Sequence, residues 1–258
     1  MAPSVEEQAE DKKKLETTFR PEVIALFALI TRDFFRTAGA TGQPQDMERY
    51  LPAWQSLLDA HYSRVQSKFT GVVGLEPPPE LQEEAALALS LALIKYRDDN
   101  ALRQATYITQ TNEKNANEAL NLGRQTLLDD DQDLTPIAVA AAATAVLKRK
   151  FAGRVGDITI SETQAPAENT KFTEAEVSTG KKPSILSGVV LAVLWKTWRT
   201  AGDKLVRDLH KKVNGQRVKM SEPFVVNGES LMYPGDSSRG ASAGNIINCR
   251  CGAEYSAT

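Results

Sequence analysis

Apolar residues return at helical spacing through most of this 258-residue chain, and the pattern stops at Asn214-Gly215. A stripe recurring every three to four positions is buried only by packing against another such stripe, so the bulk of the chain must fold as helix on helix. Beyond the stop, turn dipeptides and short apolar runs take over, the pattern of small strands. The expected fold class is therefore α+β, with a mainly helical N-terminal body and a small C-terminal domain of one helix plus a β-hairpin.

The helical part divides as follows. Residues 1–20 are polar and of mixed charge, with no apolar period before Leu15, and are expected to be a flexible leader. Pro21 suits the first turn of a helix carrying Ile24, Phe27, Ile30 and Phe34, with Leu26 and Leu29 alongside, that ends near Gly39 and Gly42. Arg49 to Lys68 gives a second helix with Trp54, Leu57, Leu58, His61 and Val65 in register. After Gly71, Gly74 and Pro77 to Pro79, a third carries Leu87, Leu91 and Ile94 on one stripe. Ala101 to Leu128 is longer and more polar, fit to bridge or to contact a partner. Asp129 to Asp133 lacks the glycine and the terminal glutamate of a calcium loop, so it reads as capping and solvation. Pro136 to Phe151 is alanine-rich and ends at Gly153; it serves either close helix packing or an oligomer face. These segments make a body of residues 21–155. Residues 156–183 turn Thr-, Glu- and Ser-rich and read as a connecting segment, with a short helix around Glu162 to Glu174 and a loop from Ser178 to Pro183. Residues 184–258 are the C-terminal domain.

Charge and cysteine usage exclude several classes. With 31 Lys and Arg against 33 Asp and Glu, the chain is not a general polyanion binder. Residues 195–258 do hold ten Lys and Arg against six Asp and Glu, which suits nucleic acid, an acidic partner, or simply a solvated basic face. The two cysteines, Cys249 and Cys251, are separated by one residue, which strains a disulfide, so this is not a disulfide-stapled secreted domain. The first 20 residues lack the apolar core of a signal peptide. The uncharged apolar stretch Pro183–Trp195 has 13 residues where a bilayer needs roughly 20. No membrane association is expected; cytoplasmic synthesis and a soluble product are.

The tail holds the chemistry. Trp195 and Trp198, three apart, fall on one side of a helix, as do Asp203, Arg207 and His210 at i, i+4 and i+7. Asn214-Gly215 ends it. Pro223 to Val226, Asn227-Gly228 and Leu231 to Tyr233 make a hairpin signal, and Pro234-Gly235-Asp236 a second turn. Ile246 to Cys251 closes the fold as a strand or extended segment. In such a segment Cys249 and Cys251 point the same way. With His210 and Asp236 they offer two thiolates, an imidazole and a carboxylate, a set that suits structural zinc. The competing reading is two buried thiols, with His210 hydrogen-bonded to backbone or to Asp236. No Walker loop, dinucleotide glycine pattern, Gly-x-Ser-x-Gly or His-Glu-x-x-His is present.

Taken in order, Trp198, Thr200, Asp203, Val206-Arg207, His210, Asn214-Gly215, Pro223-Phe224, Asn227-Gly228, Pro234-Gly235-Asp236 and Asn248 to Cys251 resemble the C-terminal domain of the phage head morphogenesis family, the Mu F-like and SPP1-type minor head proteins. The stretch ITISETQAPAENT is loosely similar to the family's Ile-Ala-Arg-Thr-Glu segment, with Ser161 in place of Ala and the Arg missing; the first 100 residues show no resemblance. The resemblance implies a virion component and not an enzyme, located in the capsid interior or at the portal vertex and in host cytoplasm during assembly. Its implied partners are the portal protein, the major capsid protein or both, with non-specific contact to packaged DNA and no membrane. The shared residues would form a folding kernel. The alternative is a metal-dependent hydrolase or nuclease using His210 with Cys249 and Cys251. Against it, the chain has only two histidines, and a closed site would leave no ligand position for chemistry.

Overall fold

The computed structural model describes residues 3–77, 79–178 and 194–257. Four long helices come first: α1 (Val5–Thr41), α2 (Leu51–Phe69), α3 (Gln82–Asp129) and α4 (Pro136–Ser178). Short elements follow: β1 (Leu194–Thr200), α5 (Asp208–Lys212), β2 (Arg217–Lys219), β3 (Phe224–Val226), β4 (Glu229–Leu231), α6 (Ala243–Ile246) and β5 (Cys251–Ala257). The α+β class expected from the sequence is what forms. The loop expected after Ser178 and most of the apolar stretch Pro183–Trp195 fall on 179–193, outside the described residues.

Three expected boundaries are corrected. The leader is helical from Val5 because Ser4 and Glu7 form a reciprocal capping box: the Ser4 N–H donates to Glu7 Oε2 (2.6 Å) and the Glu7 N–H to Ser4 Oγ (3.1 Å). Pro21 therefore lies inside α1, not at its start. The two helices read after residue 80 are one, α3. The connecting segment is the second half of α4, which passes through Gly153, Gly156 and Pro166 without stopping. A glycine costs a helix only about 1 kcal/mol, and burial of the segment outweighs it.

The long helices belong to two compact units. Residues 18–60 and 99–159 make a helical unit; residues 1–17, 61–98 and 160–258 make a mixed one. The division cuts through each long helix and does not follow the expected boundaries at 155 and 184.

In the helical unit, the Phe27 ring meets Trp54 edge-on (5.1 Å) and stacks on Phe151 (4.2 Å). Around this aromatic contact α1 buries Ile30, Phe34 and Ala38, while α3 buries mainly small residues, Ala101, Ala105, Ala116 and Ala119. Small residues let backbones approach. A Cβ added to Gly123 of α3 would lie 2.7 Å from the Ala143 nitrogen of α4, so the two helices touch there main chain to main chain. The alanine-rich sequence of α4 thus serves close packing on this side. The acidic loop does cap: Asp131 takes a left-handed φ of 53° while the Gln132 N–H bonds back to the Leu127 carbonyl, and Thr135 Oγ1 accepts the Ala138 N–H at the start of α4.

In the mixed unit, β1 is the centre of an antiparallel sheet in the order β2-β1-β5. Leu194 pairs with Ala257 and Thr200 with Cys251 on one side, and Trp195 with Lys219 on the other. The two tryptophans are therefore on a strand, not a helix: Leu194, Lys196 and Trp198 alternate inward while Trp195 and Thr197 are only partly covered. β3 and β4 form the expected hairpin, with Asn227 and Gly228 both at positive φ (51° and 80°), the requirement of a type I′ turn. Trp198, Val206, Phe224, Val226, Leu231, Cys249, Cys251 and Ala253 form its core.

The stripe expected to bury α3 faces outward instead. Leu87, Leu91 and Ile94 are 58%, 51% and 43% exposed, while Ala85, Ala88 and Leu93 are buried. Val177 of α4 packs on Ala85 and Ala88. Close approach selects the small side of α3 over the large one.

Candidate functional site

The residues singled out in the tail converge on one place, the end of β1 where α5 and the start of β5 meet it. α5 is a helix of five residues, and it carries one buried side chain, His210. Its approach is fixed by the turns on both sides. The Thr200 N–H donates to Asn214 Oδ1 (3.0 Å), and Gly215, at φ 84°, donates its N–H to the Trp198 carbonyl (2.8 Å). Asn214-Gly215 thus returns the chain onto β1 as well as ending the helix.

Asp203 and Arg207 do not pair along a helix. Asp203 precedes α5, where Oδ1 accepts the Leu205 N–H (2.9 Å) and Oδ2 accepts Arg250 Nε (2.8 Å). Arg250 holds its carboxyl below the usual range. Arg207 stands at the N-cap of α5 and donates to the Ile247 carbonyl. The three-residue side expected for a helix is broken because the chain turns between Thr200 and Asp208. Both charged residues instead tie α5 to the segment that brings in the cysteines.

That segment delivers Cys249 and Cys251 to one side, though not as a continuous strand. α6 ends at Ile246, Asn248 takes a left-handed φ of 53°, and β5 begins only at Cys251. The Asn248 N–H is anchored by Ser161 Oγ of α4 (3.1 Å). The result is a buried trio: His210 Nδ1 lies 3.4 Å from Cys251 Sγ and 3.7 Å from Cys249 Sγ, and the three donor atoms fall within 4.8 Å of one another.

The tautomer of His210 follows from its neighbours. Asn245 Nδ2 donates to the Val226 carbonyl (3.2 Å) and to Glu229 Oε2 (2.7 Å), so its Oδ1 is the acceptor facing His210 Nε2 (3.3 Å). Nε2 therefore carries the proton, and Nδ1 turns its lone pair toward the sulfurs. A hydrogen bond with Cys251 draws the Cys249 thiol down toward the thiolate against its burial, and His210 adds to this; Cys251 is pushed the other way by the same bond and by burial. Trp198 stands edge-on to His210 (5.6 Å) and to Phe224 (5.2 Å). Its buried Nε1–H has no hydrogen-bond partner among the described residues, yet it favours the Cys251 thiolate.

Asp236 is not part of this trio, which corrects the four-ligand set. Its two oxygens are taken by its own turn, Oδ2 by the Met232 N–H (2.9 Å) and Oδ1 by the Ser238 N–H (2.8 Å). Pro234-Gly235 forms the turn beneath it, with Gly235 at φ 86°, where an added Cβ would lie 3.6 Å from the Ala165 Cα of α4.

A second buried polar group escaped the sequence reading. Glu168 of α4 is inaccessible to solvent and accepts Lys12 Nζ (2.6 Å), Lys171 Nζ (2.8 Å) and the Ala253 N–H (2.9 Å). Burial pushes its carboxyl up, but Lys12 and Lys171 outweigh burial and hold it below the usual range. Lys171 also donates to the Gln8 side chain (2.9 Å) and the Ala253 carbonyl (3.2 Å), and Gln164 donates to the Cys251 carbonyl. These residues clamp α4 onto β5 directly behind the trio. Lys196, buried in β1, donates to the Met232 carbonyl (2.7 Å) with its Nζ 5.1 Å from the ring centres of both Phe172 and Phe224; burial brings its pKa down to about 7. The string Glu162 to Glu174 looks like solvated helix in sequence, and nothing in its composition announces these partners.

No protein-family model, no curated protein and no solved structure matches the chain. Among the described residues no helix is long and apolar enough to cross a membrane.

Proposed function

We propose that this chain is a minor capsid protein of a tailed phage, a head morphogenesis factor that docks at the portal vertex or on the inner capsid surface and assists assembly, DNA packaging or ejection. The observation that carries the reading is the ordered series from Trp198 to Cys251, whose members resemble that family in type and sequence order. Their roles in the fold support it. Asn214 and Gly215 fix a turn, Asp203 and Arg207 tie α5 to the cysteine segment, and Asp236 closes its own loop. Residues spent on architecture in this way suit a structural part. The exposed stripe of Leu87, Leu91 and Ile94 supports a helical surface that grips a neighbour. The basic excess of residues 195–258 suits sequence-independent contact with packaged DNA.

The alternative, a metal-dependent hydrolase or nuclease on His210, Cys249 and Cys251, needs a coordination position that substrate can reach. All three residues are buried to about 1% exposure, which counts against it. The test of the proposal is a sizing column loaded with portal rings of the same phage and this chain. Co-elution at moderate salt, lost in a Leu87→Asp/Leu91→Asp variant that keeps its helical circular dichroism, is the expected outcome. Separate elution at both low and moderate salt removes portal docking, and DNA cleavage that disappears in His210→Ala removes the structural reading.

A further inference from the structure

We propose that His210, Cys249 and Cys251 hold one zinc ion, bound through Nδ1 and two thiolates, with an exogenous fourth ligand such as water. The inference is independent of the virion reading and goes beyond it.

The two histidine-to-sulfur separations fit a bound ion. Zinc bonds of about 2.3 Å to sulfur and about 2.0 Å to nitrogen, at tetrahedral angles, separate an S and an N donor by about 3.5 Å. The observed separations from Nδ1 are 3.4 and 3.7 Å. The lone pair of Nδ1 points at the sulfurs because Nε2 is committed to Asn245 Oδ1, and Asn245 is held in turn by Val226 and Glu229. A ligating histidine oriented through its other nitrogen by a second layer of hydrogen bonds is a recurring feature of zinc sites. The unpartnered indole N–H of Trp198 is the second observation. Against a neutral thiol it gains little. Against a metal-bound thiolate it supplies a donor to a sulfur that stays negative, which accounts for a buried donor left without an oxygen or nitrogen acceptor.

The donor set selects the ion. Two thiolates and an imidazole are soft and borderline ligands that favour zinc over magnesium or calcium. Binding exchanges the two S–H protons for the metal, so both are released to solvent and affinity falls in acid. The ion would join α5 to the segment leading into β5, elements otherwise connected through Asp203–Arg250 and Arg207–Ile247. A small β element buries little surface, and a metal clip is one way such elements are stabilised.

The experiment uses the full chain, stripped by chelator under reductant and titrated with cobalt and then with zinc. One cobalt per chain is expected, with the visible bands of a tetrahedral site and thiolate-to-metal charge transfer, displaced stoichiometrically by zinc. Cys249→Ser and Cys251→Ser should each remove much of the charge-transfer intensity and weaken zinc at least 100-fold. Trp198→Phe should keep the stoichiometry and weaken zinc by about 10-fold, the scale of a residue acting on a ligand and not as one. The wild-type spectrum stands even if a serine variant fails to fold. A reduced wild-type chain that gives no charge-transfer band, or a band that survives in the folded Cys249→Ser/Cys251→Ser double variant, overturns the proposal.

Discussion

The two halves of α4 are built on opposite principles. Residues 136–159, in the helical unit, bury mainly apolar side chains, Val139, Ala140, Ala143, Leu147 and Phe151, which ask of their surroundings chiefly shape. Residues 160–178, in the mixed unit, bury Ala167, Phe172, Ala175 and Val177 but also Glu162, Thr163, Gln164, Glu168, Thr170, Lys171, Thr173 and Glu174. Several of the polar ones depend on a particular partner, such as the Tyr62 hydroxyl for Glu162 or Lys12 and Lys171 for Glu168. Apolar packing degrades gradually when altered, whereas a buried charge stripped of its partner is left with its full desolvation penalty. The polar half should therefore be the more fragile one and the one that responds to pH.

The largest effect should come from Glu168→Ala, which strands Lys171 and leaves the Ala253 N–H without its acceptor. A loss of about 3–5 kcal/mol is expected in denaturant unfolding. A loss below about 1 kcal/mol would mean that water already shares the cluster, and the contrast between the halves would vanish. Gly123→Ala probes the apolar principle, since its Cβ must displace the Ala143 backbone. About 1–3 kcal/mol is expected, where an exposed helical glycine would gain stability from the same change.

The third effect is a pH dependence at Lys196 of β1, whose Nζ lies 5.1 Å from the ring centre of Phe172 in the polar half of α4. Lys196 has its folded-state pKa lowered from 10.5 to about 7. Below pH 7 both states are protonated and the folded one bears the full burden of a buried charge. Between about 7 and 10.5 the unfolded chain binds more protons, so stability rises with pH, by at most about 1.4 kcal/mol per unit. The difference between wild type and Lys196→Met, measured by thermal unfolding from pH 6 to 10, should carry this slope; a flat difference would contradict it. The smallest effect should be that of Ser4→Ala, which opens the capping box at about 1 kcal/mol. No change there would restore the leader to a segment without structural weight.

The same contrast explains what was legible in the sequence. The Asn227-Gly228 hairpin could be read because a two-residue turn dictates its own backbone, and the Trp54 and Phe27 cores because large apolar residues have one place to go. Trp195 and Trp198 fit helix and strand equally over so short a run, and only the pairing with β5 decides. The stripe of Leu87, Leu91 and Ile94 misled because packing on Val177 favours the alanines opposite. Ser4 and Glu7 were a legible signal that the charged residues around them hid. Glu168, Lys171 and Lys196 were beyond reach, since their burial depends on partners far away in the chain. At the trio, the two cysteines and His210 could be brought together from spacing and order, but the exclusion of Asp236 depends on a turn whose own amides claim the carboxylate.

Quantitative mass spectrometry of purified mature particles checks whether this chain is, as proposed, a structural part of a tailed phage. The chain is expected at a fixed copy number relative to the portal, through repeated purification. Particles that package DNA and lack it altogether would remove the virion role.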